Sequence, residues 1–215
     1  MNKTARSLLL ALGMSTAALA GAATPEELVR PIQDQWAEIK YRQPEKVHAE
    51  QYAKLAEQAR KIVETHPGLA EPLIWEGIVI SSEAGAKGGL GALGLAKESR
   101  ALLDEALKIN DKALAGSAYT SLATLYAKVP GWPVGFGDKK KAEEYFKKAL
   151  AINPGGIDPN FFYGEYLIDR DRHAEGRQHL ETALKAPPRP GRELADSGRR
   201  QEIQALLARL NKEGK

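Results

Sequence analysis

The order of apolar and polar positions is helical along nearly the whole chain. Apolar residues recur at spacings of three and four, and β-type alternation is rare. Thr24-Pro25-Glu26-Glu27 has the form of a capping box with proline at the first helical position, so a helix is expected from Pro25 to about Tyr41. A second is expected from about Pro44 to Thr65. Tyr52, Leu55, Ala59, Ile62 and Val63 form its apolar stripe, and His66-Pro67-Gly68 ends it.

Three later segments share one pattern. Gly164, Leu167, Gly176, Leu180, Ala183 and Pro188 set a template with relative positions 8, 11, 20, 24, 27 and 32. Ala123, Tyr126, Ala142, Phe146, Ala149 and Pro154 fit it with seven extra residues after the first helix. Gly77, Ile80, Ser99, Leu103 and Ala106 fit it with ten extra residues, and Asp111 stands where the last proline would fall. Small residues at 8, 20 and 27 let two antiparallel helices approach closely. Bulky residues at 11 and 24 fill the space between neighbouring pairs, and proline at 32 stops the second helix.

This pattern resembles the tetratricopeptide repeat, a helix–turn–helix unit of 34 residues. The matching repeats cover about 70–111, 116–154 and 157–188, with a degenerate helix pair over 25–67. Departures are the missing Trp at position 4, Ser99 in place of Ala, and the two insertions. The expected fold is all-α: a tetratricopeptide-like helical-repeat solenoid over 24–188 with a C-terminal capping helix over 189–215. Pro187-Pro188-Arg189-Pro190-Gly191 separates the two. Leu194, Ile203, Leu206, Leu207 and Leu210 give the last helix an apolar stripe against the final repeat. Its Arg-rich face offers the alternative of contact with an acidic partner.

The two insertions stand at equivalent turns, so they are expected as two extended inter-helix loops on one edge of the solenoid. The first, Glu83–Gly94, holds five glycines between 85 and 94; Gly89 and Gly91 would let backbone approach a ligand or a neighbouring helix. The second, Val129–Asp138, carries Trp132 and Phe136 near Pro130 and Pro133. These aromatics would form a rigid apolar lip, or else fold back as buried lids over the helix ends. Gly89-Leu90-Gly91-Ala92-Leu93-Gly94 also matches the dinucleotide fingerprint. That reading fails because Asp111–Ser121 is helical in pattern and supplies no second parallel strand.

Composition adds an address. Lys3 and Arg6, then Leu8–Met14, then the small residues to Ala23 have the order of a secretory signal peptide over 1–23. Periplasmic export is therefore expected, with no membrane span after cleavage, because no later segment approaches 18 uninterrupted apolar residues. The chain has 31 Lys and Arg against 28 Asp and Glu; without Lys3 and Arg6 the balance is 29 to 28, a net charge of +1. Acids are interleaved through the Arg-rich stretch from Arg170, which argues against nucleic acid as a partner. The absence of cysteine excludes disulfides, thiol nucleophiles, cysteine-ligated metals and lipid attachment at an N-terminal cysteine.

Catalytic patterns are poor. The four histidines are His48, His66, His173 and His179; His173 and His179 are six apart, fall on different helix faces and cannot jointly clamp a metal without a bend. No nucleophile elbow or phosphate loop is present, so no enzyme, cofactor or metal site is expected. Glu76 and Glu165, beside small helix-contact positions, read as exposed carboxylates or, alternatively, half-buried ligand groups.

The tetratricopeptide resemblance implies a non-catalytic scaffold that binds a protein or peptide partner. In that family, positions 2, 5, 9 and 12 of each first helix line the concave face. Here these are Glu71, Ile74, Ile78 and Ser81; Ser117, Thr120, Thr124 and Ala127; and Asp158, Phe161, Glu165 and Ile168. Such a groove would mix apolar residues, hydroxyls and three carboxylates, without a Lys or Arg clamp. It would suit an apolar, neutral or small basic ligand. Trp132, Phe136, Gly89, Gly91, Ile74, Ile78, Thr120, Thr124, Phe161 and Glu165 are the candidate contacts.

A narrower resemblance is carried by Leu125-Tyr126-Ala127-Lys128-Val129-Pro130-Gly131, Gly135-Phe136-Gly137-Asp138-Lys139 and Lys141-Ala142-Glu143-Glu144-Tyr145-Phe146. It is to the accessory T component of tripartite ATP-independent periplasmic transporters, helical-repeat subunits that cooperate with a solute-binding partner. It implies the alternative of a transport accessory handling a small apolar ligand. Typical members are lipoproteins, whereas this chain has no cysteine to lipidate.

Overall fold

The computed structural model describes residues 23–214, so the expected signal peptide over 1–23 lies, apart from Ala23, outside the described residues. The elements are α1 (Pro25–Arg42), α2 (His48–Thr65), α3 (Ala70–Lys87), α4 (Gly89–Ile109), α5 (Ala113–Lys128), α6 (Lys139–Ile152), α7 (Ile157–Ile168), α8 (His173–Leu184) and α9 (Glu193–Lys212). A 3-10 turn at Glu45–Val47 precedes α2. No described helix is long and apolar enough to cross a membrane.

The capping box forms as its sequence requires: Thr24 N donates to Glu27 Oε2 at 2.7 Å, and Glu27 N donates to Thr24 Oγ1 at 3.2 Å. Asp138 caps α6 in a similar way, accepting from the backbone N–H groups of Lys140 and Lys141.

Consecutive helices pair as α1/α2, α3/α4, α5/α6 and α7/α8. The first helix of each pair also touches the first helix of the next: α1 meets α3, α3 meets α5, and α5 meets α7. After α7 the row continues through α9, which touches both α7 and α1. The odd-numbered helices therefore form a closed inner ring, and the even-numbered ones pack outside it. The capping helix both covers the last repeat and joins the two ends of the chain.

The repeat template describes the packing. Leu103, Phe146 and Leu180, the bulky residues at position 24, are 0–1% exposed, and Ala106, Ala149 and Ala183 at position 27 are fully buried. Ile80, Tyr126 and Leu167 at position 11 are buried as well. At the crossing of α3 and α4, Ser99 Oγ donates to Gly77 O at 2.6 Å, so serine replaces alanine with its hydroxyl satisfied. At the crossing of α7 and α8, Gly164 and Gly176 face each other across backbone contacts that exclude a side chain.

The Gly-rich insertion is not a loop. Its ten extra residues lengthen α3 and α4 to 18 and 21 residues, against 12 each for α7 and α8. The chain reverses between them at Gly88 and Gly89, which have φ of 62° and 61°. Alanine, leucine and lysine around the other glycines are good helix formers, and they keep those glycines inside helices. The second insertion, by contrast, is an irregular turn, with a single bridge between Gly131 and Gly137.

One segment of the inner ring is strained. Leu114 and Ala115 have φ of 48° and 53°, leading into Gly116 at 77°. A left-handed conformation costs a non-glycine residue roughly 1–2 kcal/mol. Leu114 is fixed there by packing against both the central and the N-terminal core clusters.

The close crossing of α7 and α8 makes a firm prediction. A Cβ on Gly176 would lie 2.6 Å from Ile168 Cγ1 and 2.8 Å from the Gly164 carbonyl oxygen, which is backbone and cannot rotate away. Gly176→Ala should cost about 1–3 kcal/mol and lower Tm by roughly 3–10 °C. Gly155→Ala, with nothing within 4 Å, should melt like the wild type. Equal melting of the two variants would refute the crossing.

Candidate functional site

The inner ring surrounds a partly open cavity of about 1220 Å³. Each of its five helices contributes to the lining, as do the start of α4 and the turns after α5, α6 and α8. One wall is aromatic. Trp36 lies edge-on to Trp75 at 6.2 Å and to Tyr41 at 6.0 Å between ring centroids, and Trp36 Nε1 donates to Ser82 Oγ at 2.8 Å. Ile78, Leu93, Leu114, Leu125 and Phe162 continue the apolar surface.

Six serine and threonine residues also line the cavity: Ser81, Ser82, Ser117, Thr120, Ser121 and Thr124. Most of their donors are already committed. Ser81 and Ser82 donate to Ile78 O, Ser117 to Leu114 O and Thr124 to Thr120 O, at 2.6–2.9 Å. Such bonds to the preceding turn leave methyl and methylene groups and acceptor lone pairs towards the interior. The wall is therefore less polar than its composition suggests.

Most of the charged lining comes from the segment after α8, with Lys128 of α5 and Asp158 of α7 besides. Arg189 reaches Asp158 at 2.7 Å and Asp196 at 2.6 Å; Arg199 reaches Asp158 at 3.0 Å and Glu202 at 2.7 Å. Glu202 crosses to α1, where it pairs with Lys40 at 3.3 Å and accepts from Tyr41 Oη at 3.2 Å. This network binds α7, α9 and α1 together. Burial alone would raise the Asp158 carboxyl, but Arg199 and Arg189 outweigh it and pull it down to about 2. Arg199 also covers Phe161 and Phe162, at 4.4 and 4.5 Å from the ring centroids.

Of the ten candidate contacts read from sequence, Ile78, Thr120, Thr124 and Gly89 line the cavity. The others do not. Ile74 is fully buried in the core, and Phe161 lies under Arg199 in the C-terminal cluster. Glu165 pairs with Lys128 at 3.3 Å, and Gly91 sits within α4 with Lys87 as its neighbour. Phe136 packs edge-on against Tyr126 at 5.5 Å and beneath the Arg100 guanidinium at 4.3 Å. Trp132 stands 90% exposed at the tip of its turn, so the two aromatics form neither a shared lip nor a pair of lids.

The inner face expected from sequence, with three carboxylates and no Lys or Arg clamp, differs from the residues that line the cavity. Glu71 is buried away from the cavity, and Asp158 is bonded to two guanidinium groups. Lys128, Arg189, Arg192 and Arg199 supply cationic lining instead. The Arg-rich face of α9 thus meets acids of this same chain. Glu76 is a buried partner of Arg60 at 3.1 Å on the α2 side, not an exposed carboxylate.

Sequence reasoning missed Trp36 and Trp75, although two tryptophans on successive inner helices were a usable signal. It also missed the arginines, because nothing local announces that α9 meets α1. Two of the histidines are occupied separately: His48 Nε2 donates to Gln43 O at 3.0 Å, and His179 Nδ1 lies 2.9 Å from Asn160 Oδ1. Among the described residues, no group of three acid or histidine side chains could hold a metal ion.

Fold and site together define a closed ring of helix pairs around a largely apolar cavity. Compared with known proteins, the chain matches no family model and no curated protein sequence.

The ring-closing network sets a pH dependence. Because the folded Asp158 carboxyl is depressed below its ordinary value, its stabilisation is complete above about pH 4 and is lost as pH falls towards 2. The contribution is on the order of 2 kcal/mol. Asp158→Asn leaves the buried Arg199 and the half-buried Arg189 short of a partner and should cost about 2–4 kcal/mol, lowering Tm by roughly 10 °C at pH 7. Thermal melts across pH 2–7 should show the variant losing less stability in the acid limb than the wild type. Identical acid limbs would show that Asp158 does not hold the ring.

Proposed function

We propose that this protein is a non-catalytic periplasmic binding protein that encloses a small, largely apolar ligand within a ring of tetratricopeptide-like helix pairs. The observation that carries the reading is the cavity itself: about 1220 Å³, lined by Trp36, Trp75, Ile78, Leu93, Leu114 and Phe162. Its volume is somewhat above the roughly 300–1,000 Å³ usual for small-molecule sites, as suits a partly open cavity. An open groove would favour an extended peptide, whereas a ring joined end to end favours a compact ligand. The buried small–large–small positions support the tetratricopeptide-like assignment, and the apolar interior supports a role like that of the transporter T component. The positive, apolar and small residues ahead of Thr24 support export.

A second reading concerns the turn after α5. Trp132 and Val134 are 90% and 57% exposed there, and Val134 and Pro130 also border the cavity. Large exposed apolar side chains at the rim of a ligand site suit the docking of a protein partner that delivers or collects the ligand. The protein-partner expectation therefore survives at this turn rather than along the concave face.

The first reading is tested with an uncharged fluorescent probe, N-phenyl-1-naphthylamine. It should bind with micromolar affinity, and Thr124→Trp, which fills the interior, should weaken binding by about tenfold or more. No binding, or binding indifferent to the filled interior, would refute the cavity as a ligand site.

A further inference from the structure

The cations at the cavity differ in one respect. Arg189 and Arg199 share Asp158 and have Asp196 and Glu202 besides, and Lys128 has Glu165 and Asp169. Arg192 has no ion pair with any described residue. Its guanidinium lies 4.9 Å from the centre of the Trp75 ring, on the aromatic wall of the cavity. Its Nε is buried from water and donates to nothing. A buried charged donor without an acceptor is costly, and native structures seldom retain one without a purpose. Burial and the neighbouring Arg189 hold the group below its ordinary pKa, yet a guanidinium stays charged at neutral pH. Asp158, Asp196 and Asp34 act on it only at a distance: the first two are bonded to Arg189, and Asp34 of α1 forms no ion pair with it. The cavity thus combines an extensive apolar surface with a guanidinium at its edge that, among the described residues, has acids near it but no ion pair and no acceptor for its Nε.

We propose that the ligand is an amphiphilic monocarboxylic acid, with its carboxylate on Arg192 beside Trp75 and its apolar body along Trp36, Ile78, Leu114 and Phe162. This deepens the small-ligand reading and rests on it. A carboxylate matches the planar fork of a guanidinium and returns the missing acceptor to Nε. One lining cation without an ion pair among the described residues calls for one negative charge. A doubly charged phosphate would bring a second negative charge, whereas Lys128, Arg189 and Arg199 already hold carboxylates. An amine of the same shape would bring a like charge to Arg192 and is excluded by repulsion.

The test uses the whole protein in a Trp132→Phe background, so that the remaining tryptophans, Trp36 and Trp75, both report from the cavity wall. Decanoate, decanol and decylamine are titrated below their aggregation limits, following tryptophan emission. Decanoate should bind about tenfold or more tighter than decanol, with decylamine weakest. Arg192→Gln should bring the decanoate-to-decanol ratio close to one, and Arg192→Lys should keep part of the preference; thermal melts establish that each variant is folded. Equal binding of decanoate and decanol by the wild type would overturn the carboxylate assignment while leaving an apolar ligand cavity standing. A preference that survives Arg192→Gln would overturn the role of Arg192. If none of the three probes binds, the small-ligand reading fails, and this inference fails with it.

Discussion

Contact between the first and last helices is the constraint on which the site depends. Without it, four helix pairs would make an open concave surface. With it, the inner helices α1, α3, α5, α7 and α9 close on one another around a cavity. The contact is built from charge and shape together. Arg199 and Glu202 of α9 reach Asp158 of α7 and Lys40 and Tyr41 of α1. Gly198 gives the Tyr41 ring room to lie directly against the α9 backbone, where any side chain would collide with it. Buried ion pairs are weak evidence for net stability, because desolvation offsets much of their attraction. Their contribution here is geometric: they accept only one placement of α9 against the ring.

Closure also explains the character of the interior. A ring of inner helices turns the same face of every pair inward, so residues that would meet solvent on an open solenoid become cavity lining. The hydroxyl residues on α3 and α5 suit that position because they satisfy their donors on their own helices. The lengthened α3 and α4 build one side of the wall higher, with Ser81, Ser82, Gly85, Ala92 and Leu93 in the lining. The strained Leu114–Ala115 segment lies on the same wall. Strain of this kind is held where the surrounding packing determines the backbone, and here the packing is that of two core clusters meeting at Leu114.

The helix pairs were legible in the sequence because repeat packing is local. Gly77 against Ser99, Ala123 against Ala142 and Gly164 against Gly176 are each set by residues within one helix–turn–helix unit. The same holds for the Thr24 capping box. The Gly-rich insertion was misread because glycine count does not reveal which glycine turns the chain. Only the pair Gly88–Gly89 does so, and the surrounding alanines and leucines continue the helices. The site was only partly legible, for a different reason. Ile78, Thr120 and Thr124 follow from helix phase alone, whereas Arg189, Arg192 and Arg199 enter through a contact between segments some 160 residues apart. No periodicity encodes that contact. Trp132 and Phe136, paired by proximity in sequence, are parted by the turn, one into solvent and the other against Tyr126.

The central claim is that the joined ring encloses a ligand site, and locating a heavy atom within it tests that most directly. Crystals grown with 10-bromodecanoate and measured at the bromine absorption edge should show an anomalous peak inside the ring, close to Trp36, Trp75 or Phe162. A bromine found only on the outer helices or at the turn carrying Trp132, with the interior unoccupied at saturating ligand, would contradict the account.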